Sequence, residues 1–400
     1  MERQIKAVWL NESGFPYSTS APVQKLRLMG RALVEANVRL TVVCRRAVHR
    51  KNGTMELATR GEVDGVEFIF TPGTPYRHPR FLKRNLLKCW GAWNELRYLW
   101  RRSRKKDIDI AILHTRVLAA ALLYRLFLKL LHIPVIMPAT EYTAGNPLRR
   151  QIGKRINDWL FYRYGYRFVD GVMPISEFLM DVVRRRAPGA LMEKVPVLSD
   201  FSRFRGLERN GSEPYFLFCG HLDYFEIIDF ILSSFESLPA KAKASLYLVV
   251  NGRRSLLDRL MNRISTIERQ DSVQVFSNVS DRELSKLYFN AVGLLIPLRP
   301  TLQDTARFPH KIGEYLASGN PVITTNVGEV RHYFLDTDDA LVAEHYDCRE
   351  FAEKMSFVLE YPDQARRIGE NGRRLGLRYF NYKAYGPRLK RFMLKAMASY

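Results

Sequence analysis

The chain has 400 residues, which is too many for one ordinary hydrophobic core and suits two domains of usual size. Hydrophobic residues make up 46% of it, which excludes an intrinsically disordered protein. The formal net charge of +22 favours a polyanionic partner: nucleic acid, an anionic bilayer or a phosphorylated substrate.

The four cysteines are scattered without paired spacing, which argues against a structural zinc site or a disulfide framework and favours a reducing compartment. The amino terminus has too short an apolar run for a signal peptide. The longest apolar stretch, Val117 to Met137, is interrupted by Arg125 and Lys129, so we predict no transmembrane helix. We therefore expect a cytoplasmic protein.

The chain opens with a pattern typical of a parallel sheet. Ile5 to Leu10 reads as a buried strand, a polar loop containing Gly14 follows, and Val23 to Ala36 has the spacing of an amphipathic helix. Arg39 to Cys44 is the next predicted strand. This βαβ order predicts an α/β fold with a parallel sheet.

The segment Tyr76 to Lys106 concentrates positive charge, with eleven Lys/Arg and one acidic residue, Glu95. Its aromatic and aliphatic residues recur at helical spacing. Such a helix can lie in a bilayer interface, with cations against anionic headgroups and tryptophans at headgroup level. Two alternatives stay open: a domain-packing helix with a basic outer face, and a nucleic-acid contact. No recognition motif accompanies the charge, so we expect no nucleic-acid partner.

Two titratable residues follow predicted strands of the first half. Ile108 to Leu113 ends at His114, and Pro134 to Pro138 is followed by Thr140, Glu141 and Tyr142. Because the carboxyl ends of parallel strands share one edge of a sheet, His114 and Glu141 are expected to face a cleft. A purely structural histidine is the alternative.

A polar run with two glycines, Phe204 to Pro214, predicts a domain boundary. The pattern then restarts with a strand at Tyr215 to Cys219, a loop containing His221, and a strand from Leu246 to Asn251 that ends at Gly252. We expect an N-terminal domain over residues 1–204 and a C-terminal domain over residues 205–380.

The stretch Thr305 to Tyr333 predicts a helix between two buried strands, opening near Pro309 and ending at Gly319. Lys311 and Glu314, three residues apart, share one face of that helix. A cation there can meet a phosphate at the helix N-terminus, and the carboxylate can accept hydrogen bonds from ribose hydroxyls. The alternative is a solvated ion pair on a surface helix.

The motif FPHKIGEYLASGNPVITTNVGE resembles the nucleotide-sugar signature of the retaining glycosyltransferase family 4, in its Pro-x-Lys-x-x-Glu-Tyr variant. The resemblance implies an α/β fold of the GT-B type, with two Rossmann-like domains facing a central cleft and a C-terminal helix (381–400) that crosses back onto the first domain. It implies that Glu314 holds the donor ribose, and that His114 and Glu141 act with it in catalysis on the sugar and acceptor side. The remaining residues that it places at the donor are Gly14, His221, Gly252, Arg253, Asn278, Phe308, Lys311, Gly328 and Glu329.

Three positions depart from the family pattern. His221 and Glu226 stand where most members have an arginine and a lysine that hold the donor diphosphate, and Ala306 replaces a glutamate eight residues before Glu314. Because charge-assisted contacts are worth ~1.5–3 kcal/mol each, their loss should weaken donor binding. Candidate replacement cations are Lys311, Arg307 and Arg253.

The resemblance implies an enzyme that moves a sugar with retention from a nucleotide-diphosphate sugar to a membrane-associated acceptor, either lipid-linked or a glycan of a polysaccharide or glycolipid. No metal or other cofactor is expected, because helix dipole and basic side chains can stabilise the leaving group. The basic N-terminal domain is expected to hold the protein on the anionic inner face of the membrane. The alternatives are a catalytically silent GT-B protein that binds membrane or partners, and a sugar-nucleotide epimerase.

Overall fold

The computed structural model describes residues 3–12, 14–18, 20–49, 56–143, 151–211 and 213–400, without the side chains of residues 11 and 12. The chain forms two compact units: Met1–Leu198 with Tyr382–Tyr400, and Ser199–Asn381. The sequence places the boundary at residue 204 and the return at residue 381. Each unit has its own parallel sheet, and the two are described separately below.

The first unit is built on a sheet that has eight strands in the part of the chain described. Its order is β3-β4-β2-β1-β5-β6-β7-β8, and all neighbours are parallel except β3 and β4. The order reverses between β1 and β5, so the carboxyl ends of these two strands form a topological switch point. The strands are β1 (Ile5–Glu12), β2 (Val38–Cys44), β3 (Arg60–Val63), β4 (Val66–Phe70), β5 (Ile110–Leu113), β6 (Val135–Ala139), β7 (Gly171–Pro174) and β8 (Leu191–Met192).

Helices connect these strands, as continuous apolar strands require cover on both faces. They are α1 (Ala21–Glu35), α2 (Phe81–Arg104), α3 (Leu118–Leu130), α4 (Ile152–Tyr164) and α5 (Glu177–Arg186). Helix α1 carries a buried cation, Lys25, whose Nζ donates to the carbonyl of Val195 at 3.0 Å. Burial lowers the pKa of Lys25 to about 7. None of the helices described is long and apolar enough to cross a membrane.

The second unit has a parallel sheet in the order β11-β10-β9-β12-β13-β14, the order of the Rossmann fold. Its switch point lies between β9 and β12. The strands are β9 (Tyr215–His221), β10 (Ser245–Asn251), β11 (Val273–Phe276), β12 (Gly293–Ile296), β13 (Val322–Thr325) and β14 (Leu341–Ala343). The helices are α6 (Phe225–Glu236), α7 (Arg254–Ile264), α8 (Asp281–Asn290), α9 (Leu302–Ala306), α10 (His310–Ser318), α11 (Val330–Tyr333), α12 (Cys348–Glu360) and α13 (Pro362–Tyr379).

Helix α10 follows the sequence pattern closely. Pro309 is its N-cap, so the helix begins one residue later than the sequence predicts. Gly319 ends it with φ 81°, the left-handed conformation in which a side chain would be strained. Ile312, Tyr315 and Leu316 are buried, as their spacing predicts. The polar face with Lys311 and Glu314 is thereby oriented toward the switch point.

The last helix, α14 (Tyr385–Ala398), belongs to the first unit. It packs beside α1, where the Nη2 atom of Arg31 donates to the hydroxyl of Tyr382 at 2.7 Å. Leu389 and Phe392 are buried in the core under β1 and β2. The hydrophobic spacing that the tail shows in sequence is therefore used to complete the first core.

Candidate functional site

A cluster of charged side chains lies at the switch point of the second unit. Lys311 Nζ is 2.9 Å from Glu314 Oε2, which makes an ion pair along the first turn of α10. Arg203 Nη1 lies 3.7 Å from the other carboxylate oxygen of Glu314. Glu314 therefore bridges two cations beside the carboxyl ends of β9 and β12, where α/β folds bind ligands.

Buried hydroxyl groups form the wall behind this cluster. The Tyr315 hydroxyl accepts the backbone N–H of Cys219, the fifth residue of β9, at 2.9 Å. Lys311 Nζ lies 5.6 Å from the centre of the Tyr288 ring, and Arg203 donates from Nε to the Ser285 hydroxyl at 2.6 Å. These contacts tie α8, α10 and β9 together and hold both cations in place.

The environment keeps this ion pair charged. Burial raises the pKa of Glu314, but the charges of Lys311 and Arg203 outweigh it, so that pKa lies below its ordinary value. Burial likewise lowers the pKa of Lys311, but the Glu314 carboxylate outweighs it and raises that pKa. A carboxylate that stays ionised is an acceptor, suited to hydroxyl donors.

A second group of cations surrounds Asp304, which is fully buried on the short helix α9 that follows β12. Arg299 Nε lies 2.9 Å from its Oδ2 and Arg307 Nη2 lies 2.8 Å from its Oδ1. Arg299 Nη1 also donates at 2.9 Å to Glu226, which is 80% exposed on the first turn of α6. The carboxylate that replaces the family's lysine is thus paired with an arginine. Asp304 and the buried Ala306 occupy the region where most family members carry a further glutamate.

The loop after β9 is exposed. The His221 ring is half-exposed, and its Nδ1 accepts the backbone N–H of Asp223 at 3.2 Å. Arg253, after β10, extends toward Asp223, with 3.7 Å between Nη2 and Oδ1. At Gly252 a Cβ would lie 2.7 Å from the Cβ of Leu222, so glycine permits the two loops to approach each other. These three predicted residues lie together at the carboxyl ends of β9 and β10.

The other predicted donor residues have structural contacts. The backbone N–H of Asn278 donates to the Asn251 side chain at 3.0 Å. Phe308 is 3% exposed and stacks on Tyr333, with ring centres 5.5 Å apart. Gly328, with φ 59°, has no room for a Cβ beside the Thr305 carbonyl, and the neighbouring Glu329 is buried. Phe308 therefore serves the core of the second unit, while Gly328 and Glu329 bring their loop against α9.

In the first unit, Gly14 and His114 lie at the switch point, after two neighbouring parallel strands. Gly14 follows β1, and its carbonyl accepts the backbone N–H of Ser18 at 2.8 Å. His114 follows β5; its backbone N–H donates to the Leu10 carbonyl, and its ring meets the Trp9 ring edge-on at 6.3 Å. The two residues are part of the same strand-end surface.

Glu141 follows β6 and is half-exposed. It forms a short ion pair with Arg116, two residues beyond His114, and its carbonyl accepts the Tyr162 hydroxyl at 2.8 Å. Burial lowers the pKa of Arg116, but the nearby Glu141 carboxylate outweighs it and the pKa is raised. The pair joins the ends of β5 and β6 beside the switch point.

Sequence reasoning missed Arg116, Arg203 and Arg299. Arg116 and Arg299 each lie three residues after a buried strand, and this position at the carboxyl edge of a sheet is a signal that could have identified them. Arg203 carries no such signal. It stands 111 residues before Glu314 and reaches it only through the fold.

Two Rossmann-type α/β domains, each with polar residues gathered at its switch point, define the GT-B class of architecture. Solved structures of low identity share this fold. Sucrose-phosphate synthase from Thermosynechococcus elongatus aligns with a TM-score of 0.75 at 16% identity, covering 100% of both chains. Anabaena Alr3699/HepE in complex with UDP-glucose aligns with a TM-score of 0.69 at 11% identity, covering 99% of this chain and 100% of that one.

Sequence comparison identifies the family. The family profile described as Glycosyltransferase Family 4 matches residues 26–196, and that described as Glycosyl transferases group 1 matches residues 200–375. An MMP α-(1→4)-mannosyltransferase from Mycolicibacterium hassiacum is 27% identical over 136 residues, covering 34% of this chain and about a third (32%) of that protein. The chain belongs to glycosyltransferase family 4, a family of glycosyl-transfer enzymes.

Proposed function

We propose that the protein transfers a sugar, with retention, from a nucleotide-diphosphate sugar to a membrane-associated acceptor. The observation that carries the proposal is the Lys311–Glu314–Arg203 cluster at the N-terminal turn of α10, beside the switch point of the second unit. A nucleotide sugar offers ribose hydroxyls to an ionised carboxylate, and a diphosphate to cations and a helix N-terminus. The low pKa of Glu314 supports the acceptor role.

The diphosphate binds, in this proposal, to Lys311 and the backbone N–H groups at the start of α10. Arg307 and Arg299 add positive charge at the end of β12, although both share Asp304. These groups supply the charge that His221 and Glu226 do not. The proposed reaction requires no metal ion, because fixed cations and the helix dipole stabilise the departing diphosphate.

The proposed chemistry uses no protein nucleophile. The bond between the sugar C1 and the β-phosphate oxygen breaks, and positive charge develops on the sugar. The acceptor oxygen bonds to C1 from the same face, and its proton passes to the departing diphosphate. Catalysis then depends on positioning and electrostatic stabilisation. His114 and the Arg116–Glu141 pair, at strand ends of the first unit, are the proposed contacts for the sugar and acceptor.

The membrane part of the proposal rests on an exposed apolar surface formed by α2, α3 and α4, here named the α2–α4 face. Helix α2 adjoins α3 through the Tyr124 hydroxyl, which donates to Glu95. Helix α3 adjoins α4 through the Leu118 N–H, which donates to Asn157 at 3.2 Å. The exposed large apolar residues of this face include Phe81, Leu82, Leu86, Trp90, Trp93, Leu123, Leu126, Leu130, Ile152, Ile156 and Trp159.

So many exposed apolar residues on neighbouring helices are unusual on a water-exposed protein, and α2 also carries exposed cations. Tryptophans and leucines flanked by Arg and Lys suit the interface of an anionic bilayer. We therefore place the acceptor, lipid-linked or part of a glycolipid or polysaccharide, at an anionic membrane. The accompanying proposal is a cytoplasmic protein bound peripherally to the inner face of the membrane.

Ligand-induced stabilisation tests the donor proposal. Thermal unfolding should be followed with a panel of nucleoside diphosphates and their sugar conjugates, covering uracil, guanine, adenine, cytosine and thymine. We expect stabilisation by the diphosphates of one base; a ligand at 100 times its Kd contributes ~2.7 kcal/mol. If no member of the panel stabilises the protein, the donor proposal fails and the silent GT-B alternative is favoured.

A further inference from the structure

A cavity of about 440 Å³ lies in the first unit between α2 and the carboxyl end of β4. It is separate from the residues assigned above to donor and acceptor. One wall is the end of β4 and the turn after it, and the other is the C-terminal half of α2. The lining residues are Ile69, Phe70, Thr71, Gly73, Trp90, Asn94, Arg97, Tyr98, Arg101, Arg102 and Lys105.

The lining carries four cations and no carboxylate. Arg102 is engaged, since it pairs with Asp107 and lies 3.9 Å from Glu67. Within the described part of the chain, the other three (Arg97, Arg101 and Lys105) lie within ion-pair distance of no carboxylate. Uncompensated positive charge around a concave site attracts an anion.

The walls of the cavity are held by contacts that do not consume these cations. The Thr71 hydroxyl donates to the Gly91 carbonyl at 2.8 Å, and the Asn94 amide donates to the Thr71 carbonyl at 3.0 Å. A Cβ at Gly91 would lie 2.9 Å from the ring of Pro72, so glycine brings the helix against this turn. Side chain–backbone hydrogen bonds and close packing thus build the cavity, and the guanidinium groups form its charged lining.

Most of the remaining lining is apolar, and it shares Trp90 with the α2–α4 face. Phe70, Ile69 and Tyr98 form the inner surface, and Trp90 contributes to both cavity and exposed face, being 54% exposed. A ligand at this site would meet cations and apolar surface together. Arginines bind phosphate bidentately, as they do carboxylate, and the apolar neighbours suit the hydrocarbon or glyceryl group attached to a lipid phosphate.

We propose that this cavity binds the phosphate group of an anionic lipid, with Arg97 and Arg101 contacting the phosphate oxygens and Lys105 adding charge. The site selects a headgroup with an accessible phosphate over other headgroups of equal charge. It rests on the membrane part of the proposed function but not on the donor site, which lies in the other unit. No covalent step is involved.

Vesicle sedimentation tests the proposal with two matched double variants. Arg97→Gln with Arg101→Gln removes two charges from the cavity. Lys83→Gln with Arg84→Gln removes two charges from the first turn of the same helix, outside the cavity. Vesicles of phosphatidylcholine contain either phosphatidic acid or phosphatidylserine, adjusted to equal surface potential. On phosphatidic acid the cavity variant should lose about tenfold more affinity than the control; on phosphatidylserine the two should lose equally.

A soluble probe distinguishes the source of the phosphate. Tryptophan fluorescence is measured with inorganic phosphate and with dihexanoyl phosphatidic acid, using Trp90→Phe to identify the signal. A Trp90 response to the short-chain lipid, absent in the cavity variant, supports the lipid site. A cavity-dependent response to inorganic phosphate without vesicle selectivity assigns the same phosphate chemistry to a soluble ligand. Equal losses by both double variants on every vesicle, with no fluorescence response, overturn the proposal and leave diffuse surface charge.

Discussion

Helices α10 and α2 share a sequence pattern but differ in burial: most of α10 is buried and most of α2 is not. Both have apolar residues at helical spacing and carry cations. Of the nine residues of α10, all described, six are buried, and its lysine is paired with Glu314. Of the 24 residues of α2, likewise all described, three are buried, and one of these is Glu95. Helical periodicity therefore predicts that a helix has an apolar face, but not whether that face packs in the protein core or stays exposed at the surface.

The difference separates two kinds of positive charge. On α10 the cation is held by a carboxylate, an aromatic ring and a fixed helix end, which suits one ligand in one position. On α2 the exposed cations have freedom to follow a surface, which suits many weak contacts that salt screens. Each prediction below affects either the proposed donor site around α10 or helix α2, and should leave the property assigned to the other unchanged.

Glu314→Ala is expected to have the largest effect, lowering turnover with a nucleotide sugar about a thousandfold. Two hydrogen bonds from ribose hydroxyls to a carboxylate are together worth ~3–6 kcal/mol. The fold should persist, since Ile312, Tyr315 and Leu316 keep α10 buried and alanine favours a helix. Vesicle binding should not change. The control is Glu353→Ala, exposed on α12; unchanged turnover in Glu314→Ala would remove the residue from the donor site.

Neutralising four cations at the end of α2 is expected to weaken binding to anionic vesicles about a hundredfold. At up to ~1 kcal/mol per cation near an anionic surface, Arg101, Arg104, Lys105 and Lys106 suffice for this loss. Arg102 is kept, because its pair with Asp107 is part of the fold. Sedimentation at two salt concentrations measures the effect, and donor-dependent thermal stabilisation should stay intact. Binding indifferent to both salt and substitution would contradict an electrostatic surface.

Gly91→Ala should destabilise the protein by ~1–3 kcal/mol, because the added methyl group meets the Arg45 carbonyl and the Pro72 ring. Helix α2 packs on the rest of the unit through only three buried residues, Gly91, Glu95 and Leu99. A clash at one of them should therefore lower the free energy of unfolding. Urea denaturation provides the measurement. The matched control is Gly153→Ala on α4, where a Cβ meets nothing within 4 Å and should stabilise the helix by ~0.5–1 kcal/mol. Equal effects of the two substitutions would show that α2 is not held at Gly91.

Glu226→Gln gives the smallest expected effect, a gain in donor affinity of about threefold. The carboxylate is exposed and repels a diphosphate only weakly, but it also occupies Arg299. Calorimetric titration with the diphosphate identified in the ligand screen measures the change. His221→Arg, made alongside, asks whether the loop after β9 reaches the donor. If neither variant alters affinity, the diphosphate contacts lie at Lys311 and Arg307 alone.

Helix α10 was predictable because its signals are local. The proline at its start, the left-handed Gly319 at its end and the buried stripe are each encoded within ten residues, and so is the Lys311–Glu314 spacing. The order of strands and helices predicted an α/β fold with a parallel sheet, and the resemblance of the motif around α10 to glycosyltransferase family 4 implied its GT-B type. The third member of the cluster, Arg203, could not be predicted, because its partner is brought to it only when α8 and α10 pack together.

Charge compensation was the other limit of sequence reasoning. Glu226 reads as a repulsive substitution in a phosphate loop, whereas in the folded protein it pairs with Arg299. Asp304 reads as an ordinary acidic residue close to the motif, yet it is fully buried between two arginines. Pairings of this kind depend on which loops meet at a sheet edge. Neither the composition of the sequence nor the spacing of its residues predicts which loops meet.

The buried lysine of α1, Lys25, can report how often the first unit opens locally. With its pKa lowered to about 7, Lys25 is largely an uncharged amine at slightly alkaline pH, the form that reacts with acylating reagents. At 5% exposure it is shielded from them, while most other lysines of the chain are reactive at once. The slow labelling of Lys25, followed by peptide mass spectrometry, would therefore time the opening of the segment around Val195 under native conditions.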